Sequence, residues 1–262
     1  MYTQLANDSA GVWGAVTSSV DWCEANYQHT PYIAEFFNTL SSLAMVVVGE
    51  FGVYNNHSSH WKQVMSFRLI SVVGIGSLLF HMTLKYHTQM LDELPMVWTS
   101  ALVLSLCLEF HYKKVPGWVA PTLFGVTVLA TIFTSLSTGP IQVALFRSAF
   151  TFLEFSSIFI GSIHYSRLPQ SSGVRRMALF GFAMIFLAFL CWINDINRCK
   201  ELSKLRVNPQ LHAVWHILMS VGIYYVILFC VFLHQRRFEA LPSTLHYKWG
   251  FLPYLKKGLV KL

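Results

Sequence analysis

Three histidines raise the first chemical question in this sequence. In LHAVWH, His212 and His216 stand four residues apart and share one face of a helix. His81, in GIGSLLFHM, ends a separate apolar stretch. If both stretches cross one membrane, the three imidazoles reach a similar depth. Three imidazoles, with a fourth position left for water, are the protein share of a catalytic zinc site. Two other readings stay open: interfacial histidines without a metal, and bis-histidine haem, which wants no third ligand. Ser77 lies one helical turn before His81 and points into the same space. It reads either as a small residue easing helix contact or as a hydroxyl donor to an oxyanion. Asp92 opens the next apolar stretch, where a carboxylate either caps the helix or serves as general base and then acid. Glu93 faces about 100° away and reads as a cap.

A second constellation is DWCEANY (21–27), followed by Glu35 at the start of an apolar run. Asp21, Glu24, Asn26 and Glu35 offer side-chain oxygens, the hard donors that suit calcium, with a backbone carbonyl completing the shell. An acidic helix cap with solvated neighbours reads equally well. Glu35 adds weight to the metal, because a charge inside an apolar span needs a partner.

The elements that position these groups follow from composition. Of 262 residues, 54% are hydrophobic and 12% charged, against about 25% charged in soluble domains. Mean hydropathy is +0.48. Seven apolar stretches are long enough to cross a bilayer: 33–54, 64–84, 91–111, 117–136, 141–164, 174–193 and 209–233. Barrel strands would be about 10 residues long and alternating. The fold expected is all-α, a polytopic membrane protein of seven transmembrane helices. The fifth stretch is the least clean, since it holds Arg147 and Glu154. The organisation expected is a polar segment over 1–32, the membrane domain over 33–233 and a basic tail over 234–262. Residues 1–30 hold no apolar run of signal-peptide type, so the first span is expected to direct insertion.

The net charge of +7 sits in the connections between spans, which points to topology and anionic headgroups and excludes a nucleic-acid role. Lys85, Arg198, Lys200, Lys204 and Arg206 fall on the side of the amino end. More basic residues fall opposite, among them Lys62, Lys113, Lys114, Arg167, Arg175, Arg176 and those following His234. This asymmetry predicts a luminal amino end and a cytosolic carboxyl end. Cys23 and Cys199 then share the luminal side, where disulfides persist, and are expected to pair. Cys107, Cys191 and Cys230 read as unpaired thiols in or near spans. The sequon Asn7-Asp8-Ser9 is luminal in this scheme, and Asn56-His57-Ser58 is cytosolic.

Several stretches carry a family resemblance along nearly the whole chain. They include GVWG (11–14), VDWCEANY (20–27), PYIAEFFNTLSSL (31–43), GIGSLLFHMTLKY (74–86), QMLDELPM (89–96), WINDINRC (192–199) and HAVWHIL (212–218). The chain resembles the alkaline ceramidases, seven-span amidases of the endoplasmic reticulum and Golgi. The resemblance implies that His81, His212 and His216 bind zinc and that Ser77 and Asp92 assist catalysis. It also implies that Asp21, Glu24, Asn26 and Glu35, with the Trp22 carbonyl, hold an activating calcium, and that Cys23 and Cys199 form a luminal disulfide. Three positions depart from the family pattern: Leu78 where Trp is frequent, Trp98 where Tyr is usual, and Val214 where HAWWH has a second Trp.

The expected activity is zinc-dependent, calcium-activated hydrolysis of a ceramide-type lipid to a sphingoid base and a fatty acid, with no obligate protein partner. A seven-span zinc-containing receptor of the adiponectin-receptor type is the alternative. It would not carry LDELPM and DWCEANY together. A transporter would need polar groups reaching both faces, whereas here they cluster at one end.

Overall fold

The computed structural model describes residues 11–56, 60–112, 114–238 and 243–257. The sequon at Asn7 lies outside these residues, as does part of that at Asn56. Seven helical segments are long and apolar enough to cross a membrane. The first span is interrupted at Ser42 and comprises α1 (Phe36–Ser41) and α2 (Leu43–Asn55). The others are α3 (Trp61–Thr83), α4 (Tyr86–His111), α5 (Val119–Leu136), α6 (Gly139–Ser166), α7 (Gly173–Asn197) and α9 (Leu211–Phe238). The short α8 (Cys199–Leu202) lies between the last two. α3, α4, α6, α7 and α9 outrun the apolar stretches that mark them. Thus α4 begins five residues before Leu91, because hydropathy sees side chains while the backbone ladder continues into polar ones.

α9 is the central post, packing against α2, α4 and α7, with Tyr224, Ile227, Leu228, Phe229 and Val231 fully buried. α5, α6 and α7 bury much less and turn Phe152, Phe155, Phe159 and Phe186 outward, as lipid-facing helices do. The two charges of α6 are each met. The Arg147 guanidinium lies over the Trp192 ring, and Glu154 accepts from Ser100 Oγ at 2.5 Å.

Close helix approach depends on small residues. A Cβ on Gly76 of α3 would overlap the Leu91 carbonyl of α4 and crowd the Asp92 amide. The absence of that one carbon lets α4 pass directly beside the turn that carries Ser77.

The amino-terminal segment closes one end of the bundle through the last carbonyls of α3, which a helix leaves without intrahelical partners. The Ala34 amide donates to the Met82 carbonyl and the Glu35 amide to the His81 carbonyl, and the Thr17 and Ser18 amides both donate to the Leu84 carbonyl. Leu84 ends α3 in the left-handed region (φ 49°), fully buried. These bonds hold a conformation that a leucine otherwise avoids.

At the other end the chain differs from a simple basic tail. β1 (Ser243–Lys248) and β2 (Leu252–Lys257) form an antiparallel hairpin, with Leu245 opposite Leu255. Its Leu252 and Leu255 enter the main core. Tyr224 Oη donates to the Pro253 carbonyl (2.5 Å), Tyr225 Oη donates to the Phe251 carbonyl, and the Leu255 amide donates to Asn56 Oδ1 (2.9 Å). Nearby, Glu109 is met by Lys62 and by His234 Nε2 (3.1 Å), and His234 Nδ1 meets Gln63 (3.0 Å). This strut ties α3, α4 and α9 together.

Gly76→Ala should lower the thermal midpoint of the detergent-purified protein, since overpacking typically costs about 1–3 kcal/mol. An unchanged midpoint in a thermal scan would show that α3 and α4 do not touch there.

Candidate active site

Where α3, α4 and α9 meet beneath the amino-terminal segment, His81, His212 and His216 converge. All three are at most 3% exposed, and their ligand nitrogens lie within 4.8 Å of one another. The ring centroids are 4.6 to 5.2 Å apart. Helix geometry accounts for two of them, since four residues make about one turn of α9. The third comes from the last turn of α3.

The unsatisfied atoms show what this cluster wants. His81 Nε2 and His212 Nδ1 are buried without a hydrogen-bond partner, which is rare for buried polar atoms. The other nitrogen of His81 is engaged, because Nδ1 meets the Glu35 carboxylate in a short hydrogen bond. His216 Nδ1 meets Ser41 Oγ at 2.8 Å, leaving Nε2 3.4 Å from Ser77 Oγ. Outer nitrogens of His81 and His216 held by a carboxylate and a hydroxyl, with two inner nitrogens free and the third against Ser77 only at 3.4 Å, are an arrangement suited to ligating a metal. The donor set fits zinc.

Ser77 is buried and also exchanges a hydrogen bond with Ser42 Oγ (2.9 Å). Asp92 is half-buried, on the stretch of α4 that meets Gly76, next to Ser77 in sequence. Neither Asp92 nor Glu93 caps a helix start, because α4 begins at Tyr86, more than a turn earlier. Glu93 instead is buried and accepts from Gln89 Nε2 (2.9 Å) and from Gln142 Nε2 of α6. The cap reading of Glu93 is therefore replaced by a lateral tie between α4 and α6.

The acidic segment lies directly over the histidines. Glu24 accepts from the Phe37 and Asn38 amides (2.7 and 3.0 Å), which makes it the cap of α1. Asn26 Nδ2 donates to both Asp21 oxygens (3.3 Å), and Asn26 Oδ1 is buried without a partner. Glu35 is fully buried and accepts from the Trp22 amide (3.0 Å) and Asn38 Nδ2 (3.1 Å) as well as meeting His81. The Trp22 ring stacks on His212 at 3.6 Å. The carboxylates do not close to the spacing of the histidines. Burial, with the Glu35 charge beside it, pushes Asp21 up to about 7. Burial likewise raises Glu24 to about 7 and Glu35 to about 8. Three acids raised together, beside an oxygen lacking a donor, fit a hard cation such as calcium.

Cys23 and Cys199 are joined, with Cα atoms 5.3 Å apart, while Cys107, Cys191 and Cys230 are free. Beside this bridge lies Asp195, which sequence reasoning missed. It is buried and accepts from the Cys23 amide at 3.2 Å and from the His212 amide. It thereby fixes the start of α9 against the acidic segment. Ser41 and Asn38 were also missed, although the polar run NTLSS within an apolar span was their signal.

The family described as Ceramidase matches residues 14–256. The chain belongs to the ceramidase family. It is 31% identical to an "Alkaline ceramidase" of Arabidopsis thaliana over 96% of this chain and 97% of that protein. It is 34% identical to "Alkaline ceramidase 3" of Mus musculus over 87% and 88%, and 30% identical to an "Alkaline ceramidase" of Drosophila melanogaster over 88% and 83%. Like these ceramidases it is an enzyme, a hydrolase held in a membrane by seven helices. Of the departures from the family pattern, Trp98 packs edge-on against Phe124, Leu78 is half-buried, and Val214 is exposed.

The raised carboxyls make a prediction about pH. An acid with a raised folded pKa holds its proton more tightly when folded, so its stabilising effect is lost as pH climbs toward that value. With cations chelated, the thermal midpoint should fall from about pH 6.5, where imidazoles no longer gain protons, to about pH 8. Added calcium should restore the midpoint most at the upper end, where the ligands are deprotonated. A midpoint flat with pH and indifferent to calcium would exclude a cation-binding acidic cluster.

Proposed function

We propose that this enzyme hydrolyses the amide of a ceramide-type lipid to a sphingoid base and a free fatty acid, using zinc at the three histidines and calcium at the acidic segment. The observation that carries the reading is the buried histidine trio with orphaned nitrogens turned inward, in a chain of the ceramidase family. His81, His212 and His216 would hold the zinc. When bound there, zinc supplies a Lewis acid for the amide carbonyl and for the attacking water.

The remaining steps belong to side chains of this chain. Asp92 takes a proton from the water and returns it to the leaving amine, the exchange a general base and acid performs. Ser77 donates its hydroxyl hydrogen toward the oxygen on which charge develops, a contact worth about 3 kcal/mol where water is excluded. Glu35, by accepting from His81 Nδ1, keeps that ring in the tautomer whose Nε2 lone pair faces inward. Asp21, Glu24, Asn26 and Glu35, with the Trp22 carbonyl, would hold the calcium and so tie the amino-terminal segment over the histidines.

The distribution of basic residues supports a luminal amino end and a cytosolic carboxyl end, in the endoplasmic reticulum or Golgi. The Cys23–Cys199 bridge sits with the histidines, as an oxidising lumen favours. This division makes residues 11–35 a luminal cover for the helical domain.

Fatty-acid release from a panel of ceramides by the purified protein tests the reading. Asp92→Asn should lose about 10²- to 10⁴-fold in turnover yet keep its zinc, and His216→Ala should lose both. Full turnover in Asp92→Asn would remove Asp92 from the mechanism. Unchanged zinc content in His216→Ala, by elemental analysis, would break the ligand set. No release by the wild-type protein from any ceramide, with both metals bound, would favour a receptor.

A further inference from the structure

At the end of the bundle away from the histidines, α4, α6 and α9 part around a cleft of 330 Å³. Its polar lining consists of His164, Arg167, Arg236 and Arg237, and its floor is apolar, with Phe110 and Leu233. No Asp or Glu lines it among the described residues. The acids that form ion pairs elsewhere are Glu35, Glu50 and Glu109, and none pairs with these arginines. Arg237 donates to the Phe110 carbonyl at 3.0 Å, which anchors it to the wall. Arg167 and Arg236 are exposed. His164 is steered by His111, whose Nδ1 lies 3.2 Å from its Nε2.

Several guanidiniums around one cleft repel one another until an anion arrives. A guanidinium fork also matches the oxygens of a phosphate group. The surroundings select the source of that phosphate. The cleft lies at the ends of spans, at headgroup level, so a lipid can enter sideways while a soluble anion must come from water. Leading away from it, α6 exposes Phe159, Phe155 and Phe152, a surface for acyl chains. Some of these arginines mark topology, but that function needs neither a shared cleft nor an apolar floor.

We propose that this cleft binds the phosphate headgroup of an anionic phospholipid in the leaflet opposite the active site. About 20 residues of α9, near 30 Å, separate His216 from Arg236, so the lipid is a bound neighbour of the bundle and not a substrate. The site stands whether or not the catalytic reading does.

The test uses the full-length protein in phosphatidylcholine nanodiscs with and without phosphatidic acid. Bound lipid is counted by native mass spectrometry and the thermal midpoint is read in parallel. Wild type should retain phosphatidic acid and melt higher with it. Arg167→Ala and Arg236→Ala should each bind about tenfold more weakly, since a hydrogen bond to a charged group carries that much. Arg236→Lys should fall between, having the charge without the fork. Ceramide turnover in neutral nanodiscs should stay unchanged in all three, which shows that they fold. Equal retention in wild type and both alanine variants would overturn the site. So would a rise produced by inorganic phosphate in neutral nanodiscs and not by phosphatidic acid, because the proposal assigns the phosphate to a lipid.

Discussion

A carboxylate with no exposure at all has to be met on every side, and Glu35 is met by three different parts of the chain. It accepts from the Trp22 amide of the amino-terminal segment and from Asn38 of α1, and it shares a short hydrogen bond with His81 of α3. A buried carboxyl group left without those partners would cost about 1–3 kcal/mol even when protonated, so these groups cannot move apart independently. The same residue belongs to the acidic segment and orients a histidine of the trio. The cover and the site beneath it are therefore one mechanical unit. Trp22 on His212, and Asp195 between Cys23 and the start of α9, repeat that connection on the other helix.

The bundle separates its chemistry by depth. Titratable groups gather at one end around the histidines, and a strut of Lys62, Glu109 and His234 with a set of arginines occupies the other. Between them, α9 is almost wholly apolar and buried, and the thiols of Cys107 and Cys230 are 3.7 Å apart in dry packing. This layering suits a hydrolase that acts on a lipid. It offers a lipid a polar end near water and an apolar span for its hydrocarbon. The hairpin formed by β1 and β2 fills the opposite end, where Tyr224 and Tyr225 would otherwise bury hydroxyls without acceptors.

Much of this architecture was legible in the sequence, because a bilayer imposes a rule that acts locally. About twenty apolar residues must be helical there, so each of the seven spans announced itself, and the four-residue spacing of His212 and His216 announced a shared face. Shared depth pointed to His81 joining them, and the family resemblance implied it. What had no local signature was decided by the tertiary structure. Glu35 meets His81 across 46 residues and Ser41 meets His216 across 175, contacts that no periodicity encodes. Asp92 and Glu93 looked like helix caps because the apolar run begins at Leu91. The helix itself begins at Tyr86, and packing set the Asp92 backbone against Gly76 and turned the Glu93 carboxylate toward Gln142. The basic tail gave no sign of a hairpin, since its stability comes from burying Leu252 and Leu255 against helices distant in sequence. The sequence by itself determined which residues could do chemistry and how deep they lie. Which partner each one faces was decided only when the helices packed, because a buried polar atom takes its partner from whichever element packs against it.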